Sequence, residues 1–498
     1  MPRSFRRARA VLAPLCLAAV LPACGSSSTP DRRASPSLPQ FDSLPDESEG
    51  LTNVGADLNA VLENGDLTGA CERYRAGATD RKTKLLCGKW MYFYESYSTA
   101  GVPAGLVDFE LTELSEDVGP GFSAYGMIPD PTSEKHYPLG LAPTDSFGAL
   151  PALAFTCASC HFGKLPDGRY AVGAPNHSYE YGKHILALLL PPFLGLGITG
   201  DHDEAALASV QPMVDHILAD STKGAALQAA ITDLTTGLSG SGVDPTAFGL
   251  SKADEAEYAA WKSGTMDFLI APLPAKDDVL TISKISPLWE LPRADEMKAT
   301  HMRHAMLGWT GGTASLMNFL KAFVLFGGGK PDLWPEEKLE PLAEYIYSLR
   351  RPENPEPPPA ADVERGAELF GSAGCNECHQ GPRGSGLDLF RYEDVGTDDA
   401  MKRWFDADLD GTGCCGGSLG TGDELTHELK SPRLVGLWTM KRYLHNGSVD
   451  SLEDLFCLNG ARPTVETPAY SDRGHDYTCD DALSASDRKA LIAFLKAE

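Results

Sequence analysis

Cys157, Cys160 and His161 form one Cys-x-x-Cys-His string, and Cys375, Cys378 and His379 form a second. On a helix, residues three and four apart share a face, so each string presents two thiols and an imidazole to one flat ligand. This is the pattern of c-type haem attachment, in which the thiols add to the porphyrin vinyl groups and the adjacent His becomes the proximal iron ligand. A thioredoxin-like redox pair also uses Cys-x-x-Cys, but in a strand-to-helix context that neither string announces. Two strings therefore predict two covalently bound haem c groups, with His161 and His379 on iron, and electron-transfer chemistry.

The chain has twelve Cys. Beyond these four, Cys16 lies in the leader and Cys24 ends it, which leaves Cys71, Cys87, Cys414, Cys415, Cys457 and Cys479. An even number in an exported chain invites disulfides. Proximity pairs Cys71 with Cys87 and Cys457 with Cys479, and leaves Cys414 and Cys415 as a vicinal pair or free thiols. A zinc site on the same Cys lacks a second Cys/His pair at finger-like spacing.

The elements that must position the strings are mostly helical. Val363, Ala367 and Phe370 recur at helical spacing just before the second string, and Leu491, Phe494 and Leu495 line a last helix that Ser484 to Asp487 begin in capping-box fashion. Leu339, Leu342, Ala343, Ile346 and Leu349 mark an earlier exit helix, which a Pro-rich stretch from Pro352 to Pro359 cannot continue. Ser286 to Leu291, reading Ser-Pro-Leu-Trp-Glu-Leu, echoes Ser431 to Trp438, as two related halves would. The expected fold is mainly α: two cytochrome c-type helical domains with extensive loops, plus an N-terminal region whose fold these patterns leave open. The boundaries are 1-23 for a signal peptide, 24-50 for a tether, 51-140 for the N-terminal region, 141-350 for the first haem domain, 351-361 for the linker and 362-498 for the second haem domain.

The second half resembles the di-haem cytochrome c peroxidase superfamily, and its rubber-oxygenase-like branch in particular. The strings that carry the resemblance run from Val363 to His379, from Lys430 to Ser448 and from Ser451 to Phe456. Arg462-Pro463 and Arg473-Gly474-His475-Asp476-Tyr477 point to the branch, as does Cys157 to Asn176 in the first half. The resemblance implies that His475 is the distal ligand of the second haem, closing that iron with two imidazoles, and that His445 lies near the haem edge, bonding a propionate. The peroxidases instead use a Met beyond their Tyr-x-His-Asp-Gly string, where this chain reads Cys457-Leu458-Asn459. The bland alternatives are a surface His475 and a His445 that merely precedes the Asn446-Gly447 turn.

If two His saturate the second iron, any reaction with peroxide or dioxygen falls to the first, and its distal side decides between two readings. One is a peroxidase- or oxygenase-type oxidoreductase, with electrons entering at the second haem. The other is a non-enzymatic electron carrier with both irons six-coordinate. His301, Met302, His304 and Trp309 are the distal-side candidates, with Met306 nearby, although Met302, Met306 and Met317 also fit a helical core stripe. His177 and His184 follow the first string closely and read more readily as surface residues. Asp406, Asp408 and Asp410 before Gly411 suggest a partial calcium loop, against an acidic surface turn, because Gly417 stands where an EF-hand has its Glu. The Gly-rich stretch from Gly411 to Gly422 lacks the Lys-Ser/Thr of a phosphate loop.

Export follows from Arg3, Arg6, Arg7 and Arg9 before the apolar run Ala10 to Ala23. Leu21-Pro22-Ala23-Cys24 resembles a bacterial lipobox, which implies an N-terminal lipid on Cys24 and a periplasm-facing lipoprotein of the cell envelope. The formal charge of −26 falls by a further four when the leader's Arg residues leave. So acidic a surface excludes nucleic acid as a partner and suits a basic electron donor or acceptor protein, though solubility alone also explains it.

Overall fold

The computed structural model describes residues 46–498 except 106, 108–124, 135–136, 146–150, 196–200, 223, 230, 233–250, 268–281, 300–307, 309–314, 387, 408–427 and 463–469. All of these belong to one compact unit, Ser37–Glu498. The described residues are mainly helical, with four small antiparallel sheets of two or three strands each. Residues 1–45, which include the expected leader with its Arg residues and Cys24, lie outside them, as do Cys414 and Cys415.

The region 51-140, whose fold the sequence leaves open, is built around helix Arg81–Tyr94. Asp80 caps it by accepting from the Thr83 amide at 2.9 Å. Helix Leu67–Arg75 is tied to it by the Cys71–Cys87 disulfide, as sequence proximity suggested. Helix Glu336–Ser348, the exit helix read from the leucine spacing, lies across it so closely that a Cβ on Gly88 would stand 2.0 Å from the Pro341 carbonyl oxygen. Pro341 has no N–H for the Glu337 carbonyl one turn back, and the Tyr74 hydroxyl donates to that carbonyl instead, at 2.6 Å. The N-terminal helices thus share one core with the first string and the exit helix, in which Val61, Leu85, Phe93, Phe162, Trp289, Leu339 and Ile346 are all buried.

A second core gathers Phe155, Tyr179, Tyr181, Ile185, Tyr258 and Trp261 on the other side of the first string. The third is local to the C-terminal part. Helix Ala360–Ser372 packs on helix Ala485–Ala497, where a Cβ on Gly366 would stand 2.0 Å from the Ala490 carbonyl oxygen and the Phe370 and Phe494 rings lie 5.3 Å apart. Ser484 caps the last helix as its sequence suggested. The Pro-rich stretch packs rather than dangles, because Pro352 accepts from Trp438 Nε1 at 3.2 Å and Asn354 donates to the Lys496 carbonyl at 3.1 Å.

Two local expectations need correction. The first string is an α-helix, Cys157–His161, but the second is a shorter 3-10 turn, Cys375–Glu377, entered through Gly374 at φ +80°. A strand does lead into the first string: Ala152–Phe155 runs between Gly101–Pro103 and Leu141–Thr144. That sheet is antiparallel and the helix is followed at once by another strand, Phe162–Lys164, so this is not the parallel strand-helix-strand unit of a thioredoxin site.

Candidate functional site

Each string's imidazole is aimed by a backbone carbonyl. His161 Nδ1 donates to the Ser286 carbonyl at 2.9 Å, and His379 Nδ1 donates to the Gly384 carbonyl at 3.2 Å. A proton fixed on Nδ1 leaves the lone pair on Nε2, which is the arrangement of a metal-binding histidine. The echoed Ser-Pro segments have a physical meaning here. Ser286 carries the carbonyl on His161, while Pro432 supplies a further backbone acceptor beside His379 and Ser431 Oγ donates to the Cys378 carbonyl at 2.6 Å.

Burial holds both imidazoles neutral, down to about 4 in each case, with the Arg433 charge lowering His161 further and that of Lys284 lowering His379. None of the four sulfurs is joined in a disulfide. Cys157 and Cys160 are buried and pushed up to about 12 by desolvation, and the half-buried Cys375 is pushed up to about 11. Buried, neutral thiols beside a neutral imidazole are poor at redox exchange, which needs a thiolate.

His475 faces His379. Their ring centres are 6.4 Å apart with the planes 41° from one another. A metal-bound imidazole nitrogen lies about 2 Å from its metal and about 1 Å from its ring centre, so two imidazoles on opposite sides of one metal hold their centres about 6 Å apart. His475 Nδ1 is buried with no hydrogen-bond partner among the described residues, and burial, His379, Arg462 and Lys284 together hold the ring neutral, down to about 3. The pair fits a flat metal-centred ligand inserted between the two rings, with Cys375 and Cys378 beside it.

The loop that presents His475 is fixed from several sides. Gly474 and His475 have φ +114° and +55°, a left-handed excursion that a non-glycine residue adopts only under constraint. Arg462 supplies it, donating to the carbonyls of Asp472 at 3.0 Å and Gly474 at 2.8 Å and to Asp476 Oδ1 at 2.6 Å. Thr478 Oγ1 donates to the His475 carbonyl at 2.6 Å, and the Cys457–Cys479 disulfide, the second pairing expected from proximity, closes the segment. Arg462 enters the sequence resemblance only as a matching residue; its clamping role needed the fold.

His445 lies in the turn before Gly447 and is buried there, with Thr397 Oγ1 3.3 Å from its Nδ1 and the Tyr392 ring edge-on at 6.2 Å. Thr397 Oγ1 also donates to the Arg473 carbonyl at 3.1 Å, which ties His445 to the His475 loop. His177 and His184 are buried too, against the surface placement expected of them. Tyr179 fixes His184 through a 2.9 Å contact to Nδ1 and Tyr125 stacks on its ring, whereas His177 lies against the Thr439 backbone. His301, Met302, His304, Met306 and Trp309 lie outside the described residues, as do Asp408 and Asp410; Asp406 falls in helix Ala400–Ala407.

Sequence reasoning passed over the groups that join the two strings. Trp289 is fully buried between Gly173, where a Cβ would meet its ring at 2.8 Å, and Gly436, where a Cβ would meet it at 2.7 Å. Its Nε1 donates to the Val172 carbonyl at 2.8 Å. The next residue, Glu290, is buried and pairs with Arg351 at 2.8 Å and with Arg383 at 3.6 Å. The Ser-Pro start of the echoed segments was the available signal, since each is followed by a Trp, at 289 in the first half and, four residues later in register, at 438 in the second.

No family model matches the chain, and no curated protein matches it. Among solved structures five chains match. One is from Kuenenia stuttgartiensis hydrazine synthase pressurised with xenon, 20% identical, covering 49% of this chain and 79% of that chain with a TM-score of 0.27. So loose a superposition carries no argument about function.

Proposed function

We propose that this chain is an exported di-haem c-type cytochrome, related to the di-haem peroxidases, that works as an oxidoreductase with its reaction centre at the first haem. The observation that carries the reading is the His379–His475 pair, whose rings face one another 6.4 Å apart beside the Cys375/Cys378 thiols. In this reading Cys157 and Cys160 tether one haem with His161 as its axial ligand, and Cys375 and Cys378 tether the other between His379 and His475. Bound haem iron supplies one-electron redox chemistry and, where an axial position is open, a seat for a small oxidant such as peroxide or dioxygen.

The chain's own contribution is to hold and insulate. The Ser286 and Gly384 carbonyls keep the Nδ1 protons in place, the Arg462 clamp presents His475, and the cores around Phe155, Phe162 and Trp289 exclude water from the first string. The exported, lipid-anchored setting belongs to the same proposal. Two disulfides among the described residues support it, because such bonds persist in oxidising compartments.

The test is carbon monoxide added to the dithionite-reduced full-length protein. The reduced spectrum should show c-type bands, and one Soret component should shift, because one iron is open and the His379/His475 iron is closed. A spectrum that carbon monoxide leaves unchanged refutes the oxidoreductase reading in favour of an electron carrier with both irons six-coordinate. Absence of c-type bands refutes both.

A further inference from the structure

Tyr179 and His184 form a pair packed against the first string. Both are fully buried, and the phenol oxygen stands 2.9 Å from His184 Nδ1. Helix Tyr181–Gly195 carries the imidazole. Backbone bonds fix the tyrosine, whose amide donates to the Asn176 carbonyl at 3.2 Å and whose carbonyl accepts from the Gly264 amide at 2.8 Å. Asn176 is itself tied to the string, its amide donating to the Cys160 carbonyl at 2.8 Å. The Phe155 ring, two residues before Cys157, meets the Tyr179 ring edge-on with centres 6.3 Å apart. Phe155, Cys160 and Tyr179 thus belong to one core.

A phenol holds its proton firmly until it gives up an electron, and then it becomes a strong acid. Inside a core the resulting charge has no water to meet it, so oxidation there needs a base already within hydrogen-bond reach. His184 meets that condition. Burial pushes its imidazole down to about 3, so the ring is neutral and able to take a proton. The Tyr125 ring stacks on it with centres 5.2 Å apart and planes 15° from parallel, a placement that stabilises an imidazolium by cation–π attraction. One pair therefore combines an oxidisable phenol, a proton acceptor and a face that steadies the charge, all beside a haem-attachment string.

We infer that Tyr179 is a redox-active residue of the first haem site, with His184 as the acceptor of its proton. The inference rests on the haem reading above, with peroxide as the oxidant, and goes beyond it by placing an oxidising equivalent on the polypeptide. Tyr179 supplies one of the two electrons that reduce a peroxide to two waters, the other being drawn from the first iron and the two protons from solvent. Its O–H bond breaks as the electron leaves, and the proton passes to His184 Nδ1, whose ring carries its own proton on Nε2. The products are a neutral phenoxyl and an imidazolium. An electron arriving by way of the His379/His475 iron, with the proton handed back, restores the phenol.

The test uses full-length protein with both haems oxidised, mixed with hydrogen peroxide and freeze-quenched for paramagnetic resonance, with haem counted by the pyridine haemochrome. Wild type should give an organic radical whose splitting collapses when the protein is grown on ring-deuterated tyrosine, a readout that needs no variant to fold. With both haems retained, the radical should be lost in Tyr179→Phe and in His184→Gln. It should survive in Tyr181→Phe, whose ring lies 6.1 Å from that of Tyr179 and whose change leaves the pair in place. A radical that persists unchanged in Tyr179→Phe or His184→Gln, or a splitting that deuteration leaves alone, overturns the pair and leaves the haem reading standing. So does a wild type whose Soret band peroxide shifts without any radical. A wild-type spectrum that neither carbon monoxide nor peroxide alters means a closed first iron, and overturns the oxidoreductase reading together with the pair.

Discussion

Replacing Arg462 with Met is expected to free His475 without touching it. The guanidinium is nearly buried, with 8% of its side chain exposed, and it holds the carbonyls of Asp472 and Gly474 as well as the Asp476 carboxylate. Hydrogen bonds from a charged donor contribute about 1.5–3 kcal/mol each, so the two carbonyl bonds together stabilise the loop by about 3–6 kcal/mol. The pair with Asp476, whose carboxylate is 76% exposed, adds at most about 1 kcal/mol. Against this stands the left-handed backbone at His475, which costs about 1–3 kcal/mol and which the clamp holds in place. Losing the clamp therefore removes about as much as, or more than, the strain it opposes. The assay is the absorption and paramagnetic resonance spectrum of the oxidised protein. Arg462→Met should convert part of the low-spin signal to high-spin and make a second iron reactive to carbon monoxide, while Arg462→Lys, able to keep one carbonyl bond, should fall between. A variant that folds, carries both haems and keeps the wild-type spectrum refutes the clamp.

Three further outcomes follow from other parts of the molecule. Glu257 is half-buried with Oε2 lacking a partner among the described residues, and burial, Asp254 and Asp398 raise it to about 7. The folded chain then binds more protons than the unfolded one between about pH 4.5 and 7, so this group's contribution is full below that window and lost as pH rises through it. Glu257→Gln should accordingly be more stable than wild type at pH 8, by about 1 kcal/mol after allowing for solvent screening, with the gap closing by pH 4.5 in urea melts. Gly366→Ala would put a methyl 2.0 Å from the Ala490 carbonyl oxygen, and separating the two terminal helices should cost about 1–3 kcal/mol, read as a lowered thermal midpoint. Lys89 donates to the carbonyls of Thr52 and Val61 and to Asn64, and Lys89→Met takes this donor from the two carbonyls, while Asn64 Oδ1 keeps the Thr52 amide; a loss of about 2–5 kcal/mol is expected, and an unchanged urea midpoint would contradict it.

What the sequence made legible was local. The two Cys-x-x-Cys-His strings, the exit helices at 336–348 and 485–497 and the 71–87 and 457–479 disulfides all depend on residues within a few turns of chain, where spacing alone carries the geometry. Burial set by distant partners was not legible. His177 and His184 sit in a polar-looking stretch, yet the core around Phe155 and Tyr179 closes over the segment that follows the first string. The strands are two to four residues long, too short for an alternating pattern to stand out. Lys284 shows the same limit, because nothing in Ile-Ser-Lys-Ile signals a buried ammonium; only the antiparallel pairing with Thr265–Asp267 and the contact with His445 carry it inward. The resemblance supplied His475 as a candidate, and the 6.4 Å ring spacing gives that candidate a geometric reason.

The most direct measurement is the intact mass of the mature, denatured polypeptide, with in-gel peroxidase staining of the same sample. Two covalently retained haem equivalents are expected, falling to one in Cys375→Ser/Cys378→Ser and to one in Cys157→Ser/Cys160→Ser. An unstained band, or a mass that those substitutions leave without a haem-sized step, would contradict tethering at both strings.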